Sequence, residues 1–80
     1  MQLTFSNRTA LVTGSDRNTG YVIARGLARS GATVILHSND CDGRAAAAAG
    51  ELQCEFSVEG DIATETGCEA VLAQLTSQAL

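Results

Sequence analysis

A chain of 80 residues makes one small domain, and at this size only about 60 % of the surface exposed by the unfolded chain is buried, which leaves little stability in reserve. Apolar residues make up 45 %, but only Phe5, Tyr21 and Phe56 are aromatic and Pro and Trp are absent, so small aliphatic side chains must build the core. The net charge of −4 is uneven: residues 1–44 hold all five arginines and three acids, residues 45–80 hold six acids and no base, and lysine is missing throughout, which confines any anion site to the first half and excludes lysine chemistry.

"RTALVT", 8–13, reads as a short buried strand that stops at Gly14. From Thr19 to Ser30 the period becomes helical. Gly20, Val22, Ile23, Ala24, Leu27 and Ala28 are expected on one face, Arg25 and Arg29 point away, and Gly31 stands where a helix stops. "TVILH", 33–37, is a second buried strand. "SNDCDG" then supplies turn and capping chemistry ahead of a helix over 44–52, favoured by five consecutive alanines. "CEFSV", 54–58, alternates as a third strand. Past the turn at Gly60 and Asp61, Thr64 can cap a last helix whose Cys68, Val71, Leu72, Leu75 and Ala79 recur at helical spacing. The order βαβαβα predicts an α/β fold with a three-stranded parallel sheet in the order 3-2-1, half of a doubly wound nucleotide-binding domain. The first two helices should cover one face and the last helix the other.

Cys41, Cys54 and Cys68 are odd in number and lack CxxC spacing, which argues for reduced thiols rather than a disulfide framework or a metal site. No apolar run approaches the roughly 18 residues that cross a bilayer, and no leader pattern opens the chain, so a cytoplasmic protein with no membrane partner is expected. The acidic balance and the lack of a basic aromatic stripe disfavour nucleic acid.

The loop "TGSDRNTG", 13–20, joins strand to helix and aims backbone N–H groups and the positive helix end at any docking anion. Its spacing is neither GxGxxG nor a P-loop. In its setting, "ALVTGSDRNTGYVIARGLARSGATVILHSND", it resembles the opening of the short-chain dehydrogenases/reductases, whose TGxxxGxG motif occupies this place. The resemblance runs from about Leu3 to the C-terminus. It implies a nicotinamide dinucleotide held by the loop residues Gly14, Ser15, Asp16, Arg17, Asn18, Thr19 and Gly20, by Ser38 and Asn39 after the second strand, and by the pair Asp61-Ile62, which matches the family's adenine-holding Asp-Val/Ile. Asn18 departs from the motif's middle glycine. Asn tolerates positive φ, so the turn can survive, and its amide can donate to a phosphate oxygen.

The cofactor choice follows from charge. A ribose 2′-hydroxyl calls for an acid at the end of strand two, a 2′-phosphate for donors and cations. The acid's place holds Ser38, flanked by His37 and Asn39 as neutral donors, and Arg17 lies where NADP-preferring relatives carry a base; His37, the only histidine, has no acid–nucleophile partnership around it and is read either as packing at the strand end or as a phosphate contact. Asp40 argues the other way but is read as serving the turn, and Arg17 can equally be a solvated surface charge. NADP is expected, with NAD as the lesser fit.

The family's catalytic Ser and Tyr-x-x-x-Lys are not among these 80 residues: Tyr21 is the only tyrosine and is followed four positions on by Arg25. No catalytic residue and no metal ligand is assigned. The expectation is the NADP(H)-binding portion of an oxidoreductase of carbonyls or alcohols, truncated in sequence and silent by itself. The alternatives are a stand-alone nucleotide-binding or protein-interaction module and the divergent enoyl-reductase branch. Because the first strand would lie at the centre of the whole fold, its edge at residues 9–13 should be unpaired here, favouring a homo-oligomer or a complementing C-terminal half.

Overall fold

The computed structural model describes residues 8–40 and 42–78. Strand β1 (Thr9–Val12) leads into helix α1 (Asn18–Arg29), β2 (Thr33–Ser38), α2 (Arg44–Glu51), β3 (Phe56–Glu59) and α3 (Glu65–Ser77). The three strands are parallel and ordered β1-β2-β3, the predicted order. Thr9 pairs with Thr33, and Ile35 with Phe56. The strands are shorter than their apolar runs: β1 loses Arg8 and Thr13, and β3 begins at Phe56 rather than at Cys54.

The alternation along β2 sends side chains to two separate cores. Val34 and Leu36 meet Ala24 of α1 and Ala45, Ala48 and Ala49 of α2 on one face. Ile35, Phe56 and Val58 meet Val71 and Leu75 of α3 on the other. Helices α1 and α2 thus share one side of the sheet and α3 takes the opposite side, as the connectivity requires. The alanine run works by size as well as propensity: at i, i+3 and i+4 its methyl groups let α2 lie close against the strands.

Two helical stripes are narrower than the sequence suggests. Val22 and Ile23 of α1 are half exposed, leaving Ala24, Leu27 and Ala28 to face the sheet. On α3, Leu72 is 62 % exposed and Cys68 is exposed, so Val71 and Leu75 carry the packing. The cause is the size of the sheet: α3 rests on β3, and the three strands offer too little surface to cover the whole apolar arc of either helix. Ala79, also assigned to that stripe, and Cys41 lie outside the described residues. Cys54 is a half-buried free thiol whose pKa burial raises, which lowers its thiolate content.

The helix ends follow capping chemistry in three different ways. Thr64 caps α3 through its hydroxyl, which accepts from the Gly67 N–H at 2.9 Å. Helix α2 starts at Gly43 without a side-chain cap of its own, and Asp42 accepts from the Arg44 N–H instead. Beyond α2, Gln53 takes the left-handed conformation at φ 59° while the Cys54 N–H reaches back to Ala49, a glycine-type helix stop without glycine. At the other end of β3, the first turn of α3 presses onto the strand exit: a side chain on Gly67 would collide with the Asp61 carbonyl oxygen. Among the described residues, no helix is long and apolar enough to cross a membrane.

Candidate functional site

The β1–α1 loop is built on the end of β2. Gly14 turns at φ 63°, a left-handed conformation, and donates its N–H to His37 Nδ1 at 2.9 Å. Ser15, fully buried, exchanges two bonds with the His37 backbone: its N–H donates to the His37 carbonyl at 3.0 Å, and its hydroxyl accepts from the His37 N–H at 2.9 Å. Since Nδ1 of His37 accepts, Nε2 carries the hydrogen and donates to the Gly60 carbonyl at 2.9 Å. One buried imidazole therefore ties the loop after β1 to the exit of β3. Of the two roles the sequence leaves open for His37, packing at the strand end and contact with a phosphate, the structure favours the first, because alternation along β2 turns its ring to the α3 face, beside Val58. Nothing in a lone histidine within an apolar strand distinguishes these roles before the strand's faces are assigned.

Asn18 adopts φ 57°, so the residue that breaks the glycine motif occupies the left-handed region and opens α1. Gly20 cannot carry a side chain, because a Cβ there would strike the Gly14 carbonyl oxygen and push the helix off its loop. The N-terminus of α1 has Arg17 as its cap residue, with no side-chain cap bond among the described residues and no acid in the first turn. Its leading N–H groups therefore keep their capacity for an anion, in contrast to α3, where Thr64 and Glu65 supply oxygen and negative charge.

Beside this helix end lies a cleft of 340 Å³ lined by Gly14, Asp16, Arg17, Asn39 and Asp40. A larger hollow of 410 Å³, lined by Ala32, Thr33, Gln53 and Phe56 among others, sits at the opposite ends of the strands, away from the loop. The cleft is polar and connected. The Asp16 carboxylate, 4 % exposed, accepts from Arg17 at 3.0 Å and from the Ser38 hydroxyl at 3.3 Å. The Arg17 guanidinium also reaches Asp40 at 3.2 Å, and hydrogen bonding to Asp16, before all other causes, raises its pKa. Asp40 thus does more than serve the turn: its N–H bonds Ser38 Oγ, while its carboxylate faces the cleft.

The candidate residues from the sequence fall into three groups. Gly14, Asp16, Arg17 and Asn39 line the cleft, with Ser38 against its floor. Asn18, Thr19 and Gly20 form the start of α1 at its side. Asp61 and Ile62 adjoin it through Asn39, whose side-chain oxygen accepts from the Ile62 N–H at 3.5 Å, and Ile62 keeps an exposed apolar surface. Ser15 is the exception: its hydroxyl is committed to the β2 backbone and faces no cleft. The carboxylate of Asp61 bonds the Ala63 N–H, which shapes the turn into α3.

A parallel sheet with a glycine loop entering a helix at the carboxyl end of its first strand, and a polar cleft beside that helix, defines the mononucleotide-binding half of a doubly wound fold. The profile of the short chain dehydrogenase family matches residues 8–79, and the chain belongs to that family. It is 36 % identical over 74 residues to the rhamnolipids biosynthesis 3-oxoacyl-[acyl-carrier-protein] reductase of Pseudomonas aeruginosa, covering 92 % of this chain and 25 % of the reductase. The Pseudomonas aeruginosa RhlG/NADP active-site complex superposes with TM-score 0.86 at 29 % identity, over 96 % of this chain and 32 % of RhlG. A gluconate 5-dehydrogenase from Burkholderia cenocepacia, in complex with NADP and tartrate, superposes with TM-score 0.83 at 26 % identity, over 96 % of this chain and 31 % of that enzyme. The chain spans about a quarter to a third of the length of these relatives.

Proposed function

We propose that the chain is the NADP(H)-binding portion of a short-chain dehydrogenase/reductase that interconverts carbonyls and alcohols. The observation that carries this reading is the open N-terminus of α1, set against Gly14 and Gly20 beside a cleft that contains Arg17. The residues fit a dinucleotide. The N–H groups at Asn18 to Gly20 are placed for a diphosphate, the cleft for the adenosine ribose with Arg17, Ser38 and Asn39 around its 2′ substituent, and the Asp61-Ile62 turn for the adenine edge. When bound, the nicotinamide supplies hydride chemistry. The described residues of the loop, the cleft and the Asp61-Ile62 turn bind and orient the dinucleotide.

NADP complexes among the relatives support the choice of NADP, and Ser38 in the acid's place supports it independently. Among the described residues β1 is an edge strand and Leu11, Val22 and Ile23 are accessible, which supports a second polypeptide surface on this half, either another copy or a complementing C-terminal half. The test is titration of the purified chain with NADPH and NADH, followed by nicotinamide fluorescence and thermal stability. Saturable binding with NADPH tighter is the expected result. Absence of binding to either dinucleotide refutes the reading and leaves a protein-interaction module.

A further inference from the structure

Two segments that the dinucleotide reading sets against different parts of one ligand are joined by a single side chain. The His37 ring accepts from the Gly14 N–H through Nδ1 and donates to the Gly60 carbonyl through Nε2, each at 2.9 Å, and the residue is fully buried. Both neighbours are backed by close packing. The Gly14 carbonyl lies against Gly20 in the first turn of α1, and Gly60 lies against Gly67 and Val71 of α3, so neither can retreat from the ring without disturbing a helix. The other side-chain contacts from the end of β2 are longer and reach one segment each: Ser38 Oγ to Asp16 at 3.3 Å, and the Ile62 N–H to Asn39 Oδ1 at 3.5 Å. Among the described residues, no other side chain bonds both segments.

We propose that His37 is a positioning residue for the dinucleotide, whose ring couples the diphosphate place at the start of α1 to the adenine place at the Asp61-Ile62 turn, so that filling either strengthens the other. The proposal rests on the dinucleotide reading above and adds to it a cooperativity within the site. An anion drawn to the N–H groups of Asn18 to Gly20 fixes the first turn of α1, with it Gly14, and through the ring the carbonyl that immediately precedes Asp61. The order imposed by one part of the ligand is then already present when the other part binds, and an ordering cost met once appears as positive coupling. Linkage makes that coupling reciprocal. Imidazole suits the task because its two nitrogens stand at a fixed separation on one planar ring and take opposite roles, one accepting and one donating.

The test divides the ligand. Inorganic pyrophosphate probes the loop, adenosine probes the turn and NADPH spans both, with binding followed through the backbone amide and histidine ring resonances of the isotope-labelled chain. In the wild type, pyrophosphate should shift the Ile62 and Ala63 amides, which lie away from its place, and tighten adenosine about fivefold, the low end of couplings between sites. Adenosine should tighten pyrophosphate by the same factor, and each should shift the His37 ring resonances. His37→Asn keeps an acceptor for Gly14 and His37→Gln a donor for Gly60, so each variant retains one tie. Both should lose the mutual tightening and bind NADPH about tenfold more weakly, the order of one hydrogen bond. A merely structural role would lower the melting temperature of the variants and leave the ratio of adenosine affinities, with and without pyrophosphate, as in the wild type. Independent binding of the two probes, or a ring that neither of them moves, in a wild-type chain that binds NADPH overturns the proposal and leaves the dinucleotide reading standing. Mutual tightening that persists in either variant overturns it as well, since the coupling then runs outside the ring. A wild-type chain that does not bind NADPH overturns the reading and the proposal together.

Discussion

Replacing His37 with leucine separates its hydrogen bonding from its packing. The imidazole is fully buried and satisfies two backbone groups, the Gly14 N–H and the Gly60 carbonyl, each at 2.9 Å. Leucine fills a similar volume but leaves both groups without a partner. A buried polar group stripped of its partner costs about 1–3 kcal/mol, so the pair should cost about 2–6 kcal/mol. At roughly 0.05–0.15 kcal/mol per residue, a domain of this length has about 4–12 kcal/mol in total, so the substitution removes a large share of its stability. Asparagine places its carbonyl oxygen near the Nδ1 position and glutamine its amide near Nε2, so His37→Asn and His37→Gln should each recover part of the loss, through Gly14 and Gly60 respectively. Urea unfolding followed by circular dichroism gives the energies, and amide exchange at Gly14 reports on the loop directly. If His37→Leu unfolds within about 0.5 kcal/mol of wild type, inside the range of an ordinary surface change, with Gly14 protection intact, the clamp is not what holds the loop.

Asn18→Val should destabilise the chain by about 1–2 kcal/mol through the left-handed φ of that position, whereas Asn18→Gly should leave stability and dinucleotide binding nearly unchanged; equal melting of the two variants would contradict the conformation. Gln53→Gly should stabilise by up to about 1 kcal/mol in urea unfolding, because glycine takes the same backbone conformation without a Cβ penalty; a loss of stability would refute this. The Tyr21 hydroxyl donates to Glu51 at 2.9 Å, and that bond raises its pKa. The folded state therefore holds this proton more tightly: the contribution is complete below about pH 10 and is lost as pH climbs through the raised value, so Tyr21→Phe should flatten the alkaline decline in stability, and identical slopes would count against it. The edge of β1, unpaired among the described residues, should drive association, visible as a concentration-dependent size at micromolar protein; a monomer whose residues 9–12 exchange freely would exclude it.

The order of elements was legible because each switch of period coincides with a glycine or a capping residue: Gly14 and Gly31 bound the first βα unit, and Thr64 opens the last helix. The two-sided layering followed from connectivity alone. What the sequence could not convey was how much of each apolar stripe three strands can cover, so Val22, Ile23 and Leu72 read as core and emerge exposed. In the site, positions were legible and partnerships were not. Arg17 and Ser38 stand where expected, yet both are engaged by Asp16, whose burial depends on how the loop folds back over β2. Asp40, two residues past Ser38 and read from the sequence as serving the turn, enters the cleft because the bend after Ser38 returns its side chain toward Arg17.

The histidine clamp also sets a timetable for synthesis. Thr9 waits for Thr33, and Ile35 for Phe56, so each strand pairs with one made 24 and 21 residues later. The ring of His37 can accept from Gly14 as soon as β2 is made, but its second bond has no partner until Gly60 has left the ribosome. At about 5–20 residues per second, the interval between His37 and Gly60 is on the order of one to five seconds, far longer than local helix formation needs. During that interval the glycine loop is anchored on one side only. The arrival of Gly60 closes it, and the anion-facing end of α1 takes its final position.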